Sequence, residues 1–292
     1  MKFYCLHEGL NHDLKNRIGI LHQACLKKGV EFIAIDALDY DYSAVETLEA
    51  GSLYYKVGRG AQRLESILLS PSLITFFTQV PNLWFYTCTS QLGIIHEKIG
   101  LPQPKTIHQL TKDKTKLKKY VEWLEGFPVI VKITGGTKGA GVLKIDSFDS
   151  LMSIAEYLVE NKQEAILREY IQTESSARLM VLGEKVIASM EYKNPPDDFR
   201  SNATSVLRPT NKVFPPNVEE TAIKSVLSVG VEFGGVDIIF DDKGNHYLLE
   251  MNFPSGFQNI PSICNVEIGD LMIDYLIKKR ELSYANTGSS GG

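Results

Sequence analysis

The stretch that most constrains how this chain can fold is residues 236–259, which read VDIIFDDKGNHYLLEMNFPSGFQN. Apolar and β-branched residues flank the turn-forming sequence DDKG at 241–244. This pattern predicts two strands, 236–240 and 246–252, joined as a hairpin. Because the side chains of a strand alternate between two faces, the polar residues of this hairpin fall at defined positions.

Two carboxylates are expected to meet on this hairpin. Asp237 shares a face with Ile239, and Leu248, Glu250 and Asn252 share a face of the return strand. The turn folds Asp237 back beside Glu250, and like charges that close repel each other unless a cation lies between them. An all-oxygen site with few protein ligands suits Mg²⁺. The hairpin therefore predicts a metal site at Asp237, Glu250 and Asn252; the alternative is that both carboxylates cap strand ends in solvent.

A glycine-rich loop upstream joins two more predicted strands. The strand 127–134, FPVIVKIT, enters the loop GGTKGAG at 135–141, and a strand at 142–145 follows. This is not a Walker loop, in which GK[ST] opens a helix, but its glycines allow backbone N–H groups to close over phosphates. Lys132 points away from its apolar neighbours and could reach those phosphates, and Lys138 lies within the loop. The alternative is a hairpin with an edge lysine.

The strand AILREY at 165–170 ends where a connector between domains could lie. Its last residues and the next, Arg168, Glu169, Tyr170 and Ile171, could pack against a purine. The backbone of such a connector can offer adenine one donor and one acceptor. Glu169 could equally be a plain strand carboxylate, and the sequence leaves both interpretations open.

A polar loop follows at 194–204, NPPDDFRSNAT, where prolines and aspartates predict irregular backbone. Within it, Phe199, Arg200, Ser201 and Asn202 bring a cation and two polar groups together. This combination suits an anionic reacting group, and the alternative is a solvated loop.

The N-terminal part alternates strands and helices, which predicts a small parallel sheet. Strands are expected at 2–6, 30–35 and 53–57, with helices at 12–28 and 63–69.

Two helices are predicted in the C-terminal part, at 221–230 and 266–279. The second closes the fold with an apolar stripe that is expected to be buried. Its members are Ile268, Leu271, Met272, Tyr275 and Leu276.

Composition and charge exclude several classes of partner. The net charge is -4 and the isoelectric point about 5.9, so no overall field recruits nucleic acid or an anionic membrane. The four cysteines form no CxxC pair and indicate reduced thiols of a cytoplasmic protein rather than a zinc site or a disulfide framework. The sequence predicts neither a signal peptide nor a membrane span, and its last residues, NTGSSGG, predict a flexible end.

The order of these motifs resembles the ATP-grasp superfamily, and most closely the RimK-like branch of carboxylate–amine ligases: a strand with Lys132, a glycine loop, then LREYI, RSN, GGVDII and YLLEMN. The segments FRSN (199–202), GGVDII (234–239) and EMNFPSGFQ (250–258) carry the resemblance most specifically. LYYKVGRGA (53–61) also resembles a loop that follows a strand in RimK-like proteins.

The resemblance implies an ATP-grasp fold of the α/β plus α+β class. A small N-terminal α/β domain with a parallel sheet would occupy 1–85. Two α+β subdomains that enclose ATP would follow at 86–165 and 166–282, with a flexible tail at 283–292.

The resemblance also implies roles for individual residues. Two Mg²⁺ ions, with Mn²⁺ as an alternative, would be held by Asp237, Glu250 and Asn252. Arg200 and Asn202 would stabilise the transferring phosphoryl group or an acyl phosphate. ATP would contact Lys132, Gly136, Thr137, Lys138, Gly139, Gly141, Glu169, Tyr170, Ile171 and Arg178.

The implied activity is ATP-dependent formation of an amide through an acyl phosphate, with release of ADP and phosphate. An amino acid such as glutamate would be added to a small molecule, a peptide or a protein. The expected partners are ATP, a carboxylate and an amine, without nucleic acid or membrane. The resemblance also favours a homo-oligomer.

The sequence departs from the family's pattern at three points. Residues 87–91, TCTSQ, carry no cation where related ligases have an early lysine or arginine. Ser176 stands where an acid often precedes the counterpart of Arg178, and 203–205 replace a common Arg-Gly-Gly, so the acceptor pocket is expected to differ. Three alternatives stay open: a ligase that makes side-chain ester or amide crosslinks in a precursor peptide, a phosphotransferase, and a nucleotide-binding module without catalysis.

Overall fold

A computed structural model describes residues 1–44, 47–70, 75–78, 89–135, 139–194, 198–200 and 208–288. Within these ranges the strands form three sheets, of three, four and five strands. The predicted Gly136, Thr137, Lys138 and Asn202 lie outside the described residues, as does the domain boundary expected near residue 85.

The N-terminal unit is a small parallel sheet with two helices, as predicted. Its elements are β1 (Lys2–His7), α1 (His12–Lys27), β2 (Glu31–Asp36), β3 (Leu53–Lys56) and α2 (Gln62–Leu68). The strand order is β2-β1-β3, and both pairs are parallel. The helix α1 begins where the Asn11 side chain accepts a hydrogen bond from the Leu14 N–H, and it buries Leu14, Leu21 and Cys25 against the sheet.

The central unit is an antiparallel sheet with helices packed against it. Its elements are β4 (Thr106–Ile107), α4 (Lys114–Trp123), β5 (Val129–Ile133), β6 (Val142–Ile145), α5 (Phe148–Glu160) and β7 (Ala165–Glu169), and they are preceded by α3 (Thr89–Lys98), which buries Leu92 in the core of the C-terminal unit instead. The strand order is β4-β7-β5-β6. Ser147 caps α5, because its side chain accepts from the Ser150 N–H.

The C-terminal unit contains the predicted hairpin at one edge of its sheet. Its elements are β8 (Ser175–Leu182), β9 (Lys185–Lys193), β10 (Thr210–Asn211), α6 (Pro216–Leu227), β11 (Phe233–Phe240), β12 (His246–Asn252), α7 (Ile260–Cys264) and α8 (Ile268–Gly288). The order is β10-β9-β8-β11-β12, antiparallel throughout. None of the helices in the described part of the chain combines the length and the apolar composition that a membrane span requires.

The first and last units share one hydrophobic core. Phe3 and Leu21 of the N-terminal sheet and helix belong to the same buried cluster as Phe233 of β11 and Met272 of α8. The central unit has a separate core between its sheet and its helices. Because the two units bury apolar side chains against each other, and such burial contributes about 25 cal/mol per Å², the first and last units form one body. Members of the separate central core include Leu117, Val131, Leu151 and Leu167.

The segment 75–78 adds hydrogen bonds to this shared core. The Glu232 N–H donates to the Phe77 carbonyl over 3.0 Å, and Lys279 Nζ of α8 donates to the Phe76 carbonyl over 3.0 Å. The C-terminal unit therefore holds the chain as it leaves the N-terminal sheet. The domain boundaries given above stay predictions.

Two helices differ from their predicted bounds. The helix α6 begins at Pro216 rather than at residue 221, because proline at the first helical position is pre-organised for a helix and sacrifices no hydrogen bond there. The helix α8 runs to Gly288, into the segment 283–292 that was predicted to be a tail.

The buried stripe of α8 also differs from the prediction. Ile268, Met272 and Leu276 are fully buried, but Leu271 is 39% exposed and Ile273 is buried in its place. The helix is covered on the side that faces the shared core, and Leu271 lies about 100° away from Met272 around the helix axis.

Candidate active site

The hairpin of β11 and β12 brings the two predicted carboxylates together. Asp237 pairs directly with Glu250, and Gly235 pairs with Asn252. Asp237 is buried, with 8% of its surface exposed. The three predicted metal ligands therefore lie on neighbouring strands at one end of the hairpin.

The hairpin is not regular, because its register shifts next to the carboxylate pair. Ile238 pairs with Leu248, so Leu249 has no partner on β11. This bulge places Leu248 and Met251 in the core below the sheet, whereas Leu249 and Glu250 both line the cleft above it. The prediction that Leu248 and Glu250 share a face is therefore wrong, since a bulge breaks the two-residue alternation of a strand.

Each carboxylate is held by a different cation from another strand. Arg178 of β8 contacts Asp237 with two nitrogens, Nε to Oδ1 at 2.6 Å and Nη2 to Oδ2 at 2.9 Å. Lys132 of β5 donates to Glu250 Oε2 over 2.7 Å. The second contact joins the central sheet to the C-terminal sheet across the cleft.

The charges of the pair are unequal. Burial raises the pKa of Asp237 to about 6, with Arg178 acting against the shift and Glu250 acting with it. Burial also opposes ionisation of Glu250, but the ammonium of Lys132 outweighs it and lowers the pKa of Glu250 to about 2. Asp237 therefore resists ionisation beside the charged Glu250. A cation bound between the two carboxylates would favour the ionised form of both.

The donor set fits a hard divalent cation. The Asn252 amide lies between the carboxylates, with Nδ2 at 3.3 Å from Asp237 Oδ2 and 3.3 Å from Glu250 Oε1. Rotating this amide turns its oxygen toward the same point, which yields three oxygen ligands. Across the described ranges, no group of three or more His, Cys, Asp or Glu side chains is placed to hold a metal ion. A cation here would depend on two carboxylates, one amide and oxygens from a bound ligand, which is the pattern Mg²⁺ prefers.

Gly235 has no side chain because Arg178 needs the space. A Cβ at this position would lie 2.7 Å from Arg178 Nη1 and 2.2 Å from Ser255 Oγ. Since Ser255 is buried, it cannot move away cheaply. The glycine pair before Val236 thus lets a buried arginine reach Asp237.

A cleft next to the carboxylates lies between the central sheet and the C-terminal hairpin. Its volume is about 750 Å³ when the part open to solvent is counted. Apolar residues of both sheets form its walls, and the cationic residues Lys132, Arg168 and Arg200 also line it. Among the predicted site residues, the lining includes Lys132, Glu169, Tyr170, Ile171, Arg200, Asp237 and Glu250.

The predicted connector lines this cleft, although the Glu169 side chain is occupied. Glu169 Oε1 accepts from the Lys105 N–H over 2.6 Å, and the Glu169 N–H donates to the Lys105 carbonyl over 3.0 Å. Its carboxylate therefore tethers the connector to the start of β4. The Tyr170 ring lies below the Lys144 ammonium, at 4.5 Å from ring centroid to Nζ.

Residues 89–276 match the family model described as the RimK-like ATP-grasp domain. The chain belongs to the RimK-like ATP-grasp family. This match covers the central and C-terminal units that form the cleft.

Relatives with curated names support the same family. A probable alpha-L-glutamate ligase of Maridesulfovibrio salexigens is 29% identical over 197 residues, which is 66% of this chain and 63% of that protein. One of Pseudomonas paraeruginosa is 31% identical over 178 residues, which is 59% of this chain and 57% of that protein. The chain thus matches less than two thirds of the length of these relatives.

Solved structures show that the fold is that of ATP-grasp ligases. The ATP-grasp ligase PsnB, complexed with a minimal precursor, superposes with a TM-score of 0.73 at 16% identity over 94% of this chain and 98% of PsnB. D-cycloserine synthetase DcsG gives a TM-score of 0.73 at 12% identity, over 96% and 100%. The macrocyclase MdnC of Microcystis aeruginosa MRC, bound with its precursor peptide, gives 0.69 at 12% identity, over 95% and 100%.

In this RimK-like chain, Arg178 lies behind the carboxylates. It was predicted to contact ATP, but it is not among the described residues that line the cleft; it pairs with Asp237 and reaches Ser255 Oγ at 3.5 Å. A buried arginine whose guanidinium is shared by a carboxylate and a hydroxyl orients that carboxylate.

Arg200 connects the polar loop to the glycine loop. Its guanidinium contacts both oxygens of Asp198, with Nη2 to Oδ2 at 2.8 Å, and its Nη1 donates to the Gly139 carbonyl over 3.2 Å. Gly141 anchors the other end of the glycine loop, since its carbonyl accepts from the Ile133 N–H over 2.8 Å. Arg200 therefore lies in the cleft, next to the loop predicted to cover phosphates.

Arg168 is a site residue that sequence reasoning assigned only to the connector. It is 7% exposed, its Nε donates to Thr106 Oγ1 over 2.9 Å, and its Nη1 lies 3.4 Å from the Leu249 carbonyl. Leu249 is the bulged residue of β12. Arg168 thus links the central sheet to the bulge that turns Glu250 into the cleft. In the sequence, this role is indicated only by the presence of an arginine inside the apolar strand 165–170.

Proposed function

We propose that this chain is an ATP-dependent carboxylate–amine ligase that forms an amide through an acyl phosphate and releases ADP and phosphate. The observation that carries the proposal is the meeting of Lys132, Asp237 and Glu250 in the cleft between the central sheet and the C-terminal hairpin. Membership of the RimK-like ATP-grasp family supports it.

ATP would lie with its base at the connector and its phosphates at the carboxylates. The apolar walls, which include Ile130, Val142 and Ile239, suit a purine. Because the Glu169 N–H already bonds Lys105, the remaining backbone groups of the connector, the Glu169 carbonyl and the Ile171 N–H, would be the acceptor and donor for adenine. Lys132 would then exchange Glu250 for the α- and β-phosphates.

The residues Asp237, Glu250 and Asn252 would hold the metal, and the proposal is two Mg²⁺, with Mn²⁺ as an alternative. When bound, Mg²⁺ neutralises the triphosphate and lowers the barrier to attack by an anionic carboxylate. Arg178 would keep Asp237 in place, and Lys132 would add its charge from the other side of the cleft.

The carboxylate substrate would attack the γ-phosphoryl group near Arg200. A carboxylate and a triphosphate repel each other, so cations aimed at the developing charge supply much of the rate enhancement. Arg200, together with Asn202, would stabilise the transferring phosphoryl group. The glycine loop 135–141 would exclude water, which would otherwise hydrolyse the acyl phosphate before the amine arrives.

The substrates follow from the relatives and stay proposals. The curated relatives are named probable alpha-L-glutamate ligases, so we propose that the amine is an amino acid such as glutamate, added to a small molecule, a peptide or a protein. PsnB and MdnC were solved with precursor peptides, but their identity to this chain is 16% and 12%, and none of the described residues favours crosslinking over addition.

An isotope experiment tests the acyl phosphate. The carboxylate substrate is labelled with ¹⁸O in both oxygens and incubated with ATP, Mg²⁺ and the amine. If the acid is phosphorylated, one labelled oxygen leaves with the phosphate, and mass spectrometry detects it there. Label in AMP instead would indicate adenylation and contradict the proposal.

A further inference from the structure

Asp198 lies two residues before Arg200 and holds its guanidinium from one side. Arg200 Nε donates to Asp198 Oδ1 over 3.0 Å, and Arg200 Nη2 donates to Asp198 Oδ2 over 2.8 Å. The same Oδ1 also accepts from the backbone N–H of Arg200 over 2.9 Å. One carboxylate therefore fixes both the backbone and the side chain of this arginine, in the two-pronged geometry that makes arginine–carboxylate pairs directional.

This ion pair is only partly buried. The side chains of Arg200 and Asp198 are 34% and 24% exposed. The hydrogen bonds from the Arg200 side chain lower the pKa of Asp198, so its carboxylate is ionised at neutral pH. A partly exposed ion pair between near neighbours in the sequence adds little to the stability of a fold. Its main effect is therefore on the direction in which the guanidinium points.

These contacts leave two N–H bonds of the guanidinium for a ligand. A guanidinium carries one N–H on Nε and two on each terminal nitrogen. Asp198 accepts from Nε and from Nη2, and the Gly139 carbonyl accepts from Nη1 over 3.2 Å. Among the described residues, one N–H on each terminal nitrogen of Arg200 thus has no acceptor. Two such neighbouring donors suit two oxygens of one phosphoryl group, and Arg200 lines the cleft.

Phe199, between the two charged residues, attaches this pair to the connector. Its ring packs edge-on against Tyr170, with 6.4 Å between the ring centroids, and both residues line the cleft. The guanidinium carbon of Arg200 lies 5.9 Å from the centroid of the Phe199 ring. The segment 198–200 is therefore held by the connector on one side and by the Gly139 carbonyl on the other.

We propose that Asp198 is a positioning residue, which keeps the free end of the Arg200 guanidinium directed at the phosphoryl group that is transferred. Asp198 itself touches neither the nucleotide nor the acid, and it acts only through Arg200. A cation that is fixed in advance loses less conformational freedom when the phosphoryl group arrives, and it stabilises the charge that develops during transfer. This inference rests on the proposed function for the identity of the group that Arg200 contacts.

Nucleotide binding to the whole protein tests this inference without the acid or the amine. The two probes are ADP with Mg²⁺, and the same mixture with aluminium fluoride, which mimics a phosphoryl group in transfer. Calorimetry measures both affinities in wild type, Asp198→Asn, Arg200→Met and the double variant. Circular dichroism confirms that each variant is folded.

The asparagine variant separates the positioning of the side chain from the shape of the loop. Asparagine keeps an oxygen that can accept from the Arg200 N–H, so the local turn is retained. Its amide has no charge, however, and it cannot accept from both Nε and Nη2. Asp242→Asn, at an exposed position of the turn between β11 and β12, is the matched control.

We expect Asp198→Asn to weaken the affinity for the aluminium fluoride complex about 10-fold, and Arg200→Met to weaken it about 100-fold. The affinity for ADP and Mg²⁺ alone should stay within about 2-fold in both variants, because their effect is on the transferred group. The double variant should bind the complex as Arg200→Met does, since Asp198 has no role once the guanidinium is removed. Asp242→Asn should behave as wild type.

Two results would overturn the inference. One is equal affinity of wild type and Asp198→Asn for the aluminium fluoride complex. The other is a double variant that is weaker than Arg200→Met by the full effect of Asp198→Asn, because Asp198 would then act on the fold or on the nucleotide without Arg200.

Failure of this inference differs from failure of the proposed function. If wild type and Asp198→Asn bind the complex equally, but ADP forms with a carboxylate and an amine, the ligase stands and the positioning role falls. If Asp198→Asn weakens the complex only when Arg200 is present, but no carboxylate and amine yield ADP, the positioning role stands and the ligase falls. Absence of ADP binding would overturn both.

Discussion

Lys132 and Glu250 are joined by a hydrogen bond of 2.7 Å that crosses the nucleotide cleft. Lys132 belongs to the central sheet and Glu250 to the C-terminal hairpin, and these two units have separate hydrophobic cores. In the proposed function, the metal and the phosphates of ATP would take the position of this ammonium. ATP binding as proposed would therefore exchange one set of charges for another at this contact.

Glu250→Gln should lower kcat by about 100-fold or more, because an amide cannot supply the charge that holds the metal. The side chain keeps its shape, so the fold should survive. Steady-state ADP release at saturating ATP measures the effect, and Glu122→Gln, an exposed glutamate of α4, is the control. Activity of Glu250→Gln within tenfold of wild type would contradict the metal assignment.

Arg200→Met should lower kcat by about 100-fold while the affinity for ATP changes little, since the guanidinium is proposed to act on the transferring group. Arg208→Met, an exposed arginine beyond the same loop, should behave as wild type. Equilibrium binding of a non-hydrolysable ATP analogue separates affinity from turnover. A large loss of affinity with unchanged kcat would indicate that Arg200 binds ATP uniformly and does not act on the transferring group.

Arg168→Met should destabilise the protein by about 2–3 kcal/mol, because it removes the charged hydrogen bond to Thr106 and the contact with the Leu249 carbonyl. Urea unfolding measures the free energy of unfolding. The exposed Arg63 of α2 provides the control variant Arg63→Met, which should change stability by less than about 0.5 kcal/mol. Equal stability of both variants would show that Arg168 does not hold the bulge.

His96 should make the fold sensitive to acid. The imidazole is 1% exposed, and its Nε2 donates to the Ser225 carbonyl over 2.8 Å. Burial lowers its pKa below the ordinary value of 6.5. Folding therefore favours the neutral ring, so its contribution to stability is complete above pH 6.5 and is lost as the pH falls through the folded pKa.

Comparison of two histidine variants isolates this effect. The free energy of unfolding is measured in urea at about pH 7.5 and about pH 5.5, on either side of the ordinary histidine pKa. His96→Gln should lose less stability over this interval than wild type, and His12→Gln, at an exposed position of α1, should lose as much as wild type. The same loss in His96→Gln and wild type would assign the acid sensitivity to other groups.

Short-range patterns predicted most of the fold and the carboxylate pair. The alternation in the hairpin and the turn DDKG gave β12 its bounds of His246–Asn252 and set Asp237 opposite Glu250. The start of α5 likewise depends on a local contact, since the Ser147 side chain accepts from the N–H of Ser150, three residues along the chain. These features depend on residues a few positions apart, where backbone geometry leaves few choices.

Features that depend on tertiary contacts were not predictable in the same way. The bulge at Leu249 arises because the core takes Leu248 and Met251, and its polar groups are satisfied by distant residues: the Leu248 N–H donates to the Pro102 carbonyl over 2.7 Å. Arg168 acquires its role only because β7 lies against that bulge. The core shared by the first and last units likewise has no local signal, since its members come from both ends of the chain.

The central claim is that this cleft transfers the γ-phosphoryl group of ATP to a carboxylate, and nucleotide product analysis tests it most directly. The protein is incubated with ATP, Mg²⁺ and pools of amino acids, short peptides and di-acids, and the nucleotides are quantified by chromatography. The account predicts ADP and phosphate that form only with a particular pool, a product whose mass has increased by an amino acid, and no turnover with Glu250→Gln. Formation of AMP and pyrophosphate would contradict the acyl-phosphate mechanism. A peptide that loses the mass of water without gaining an amino acid would show that the reaction is crosslinking and not addition.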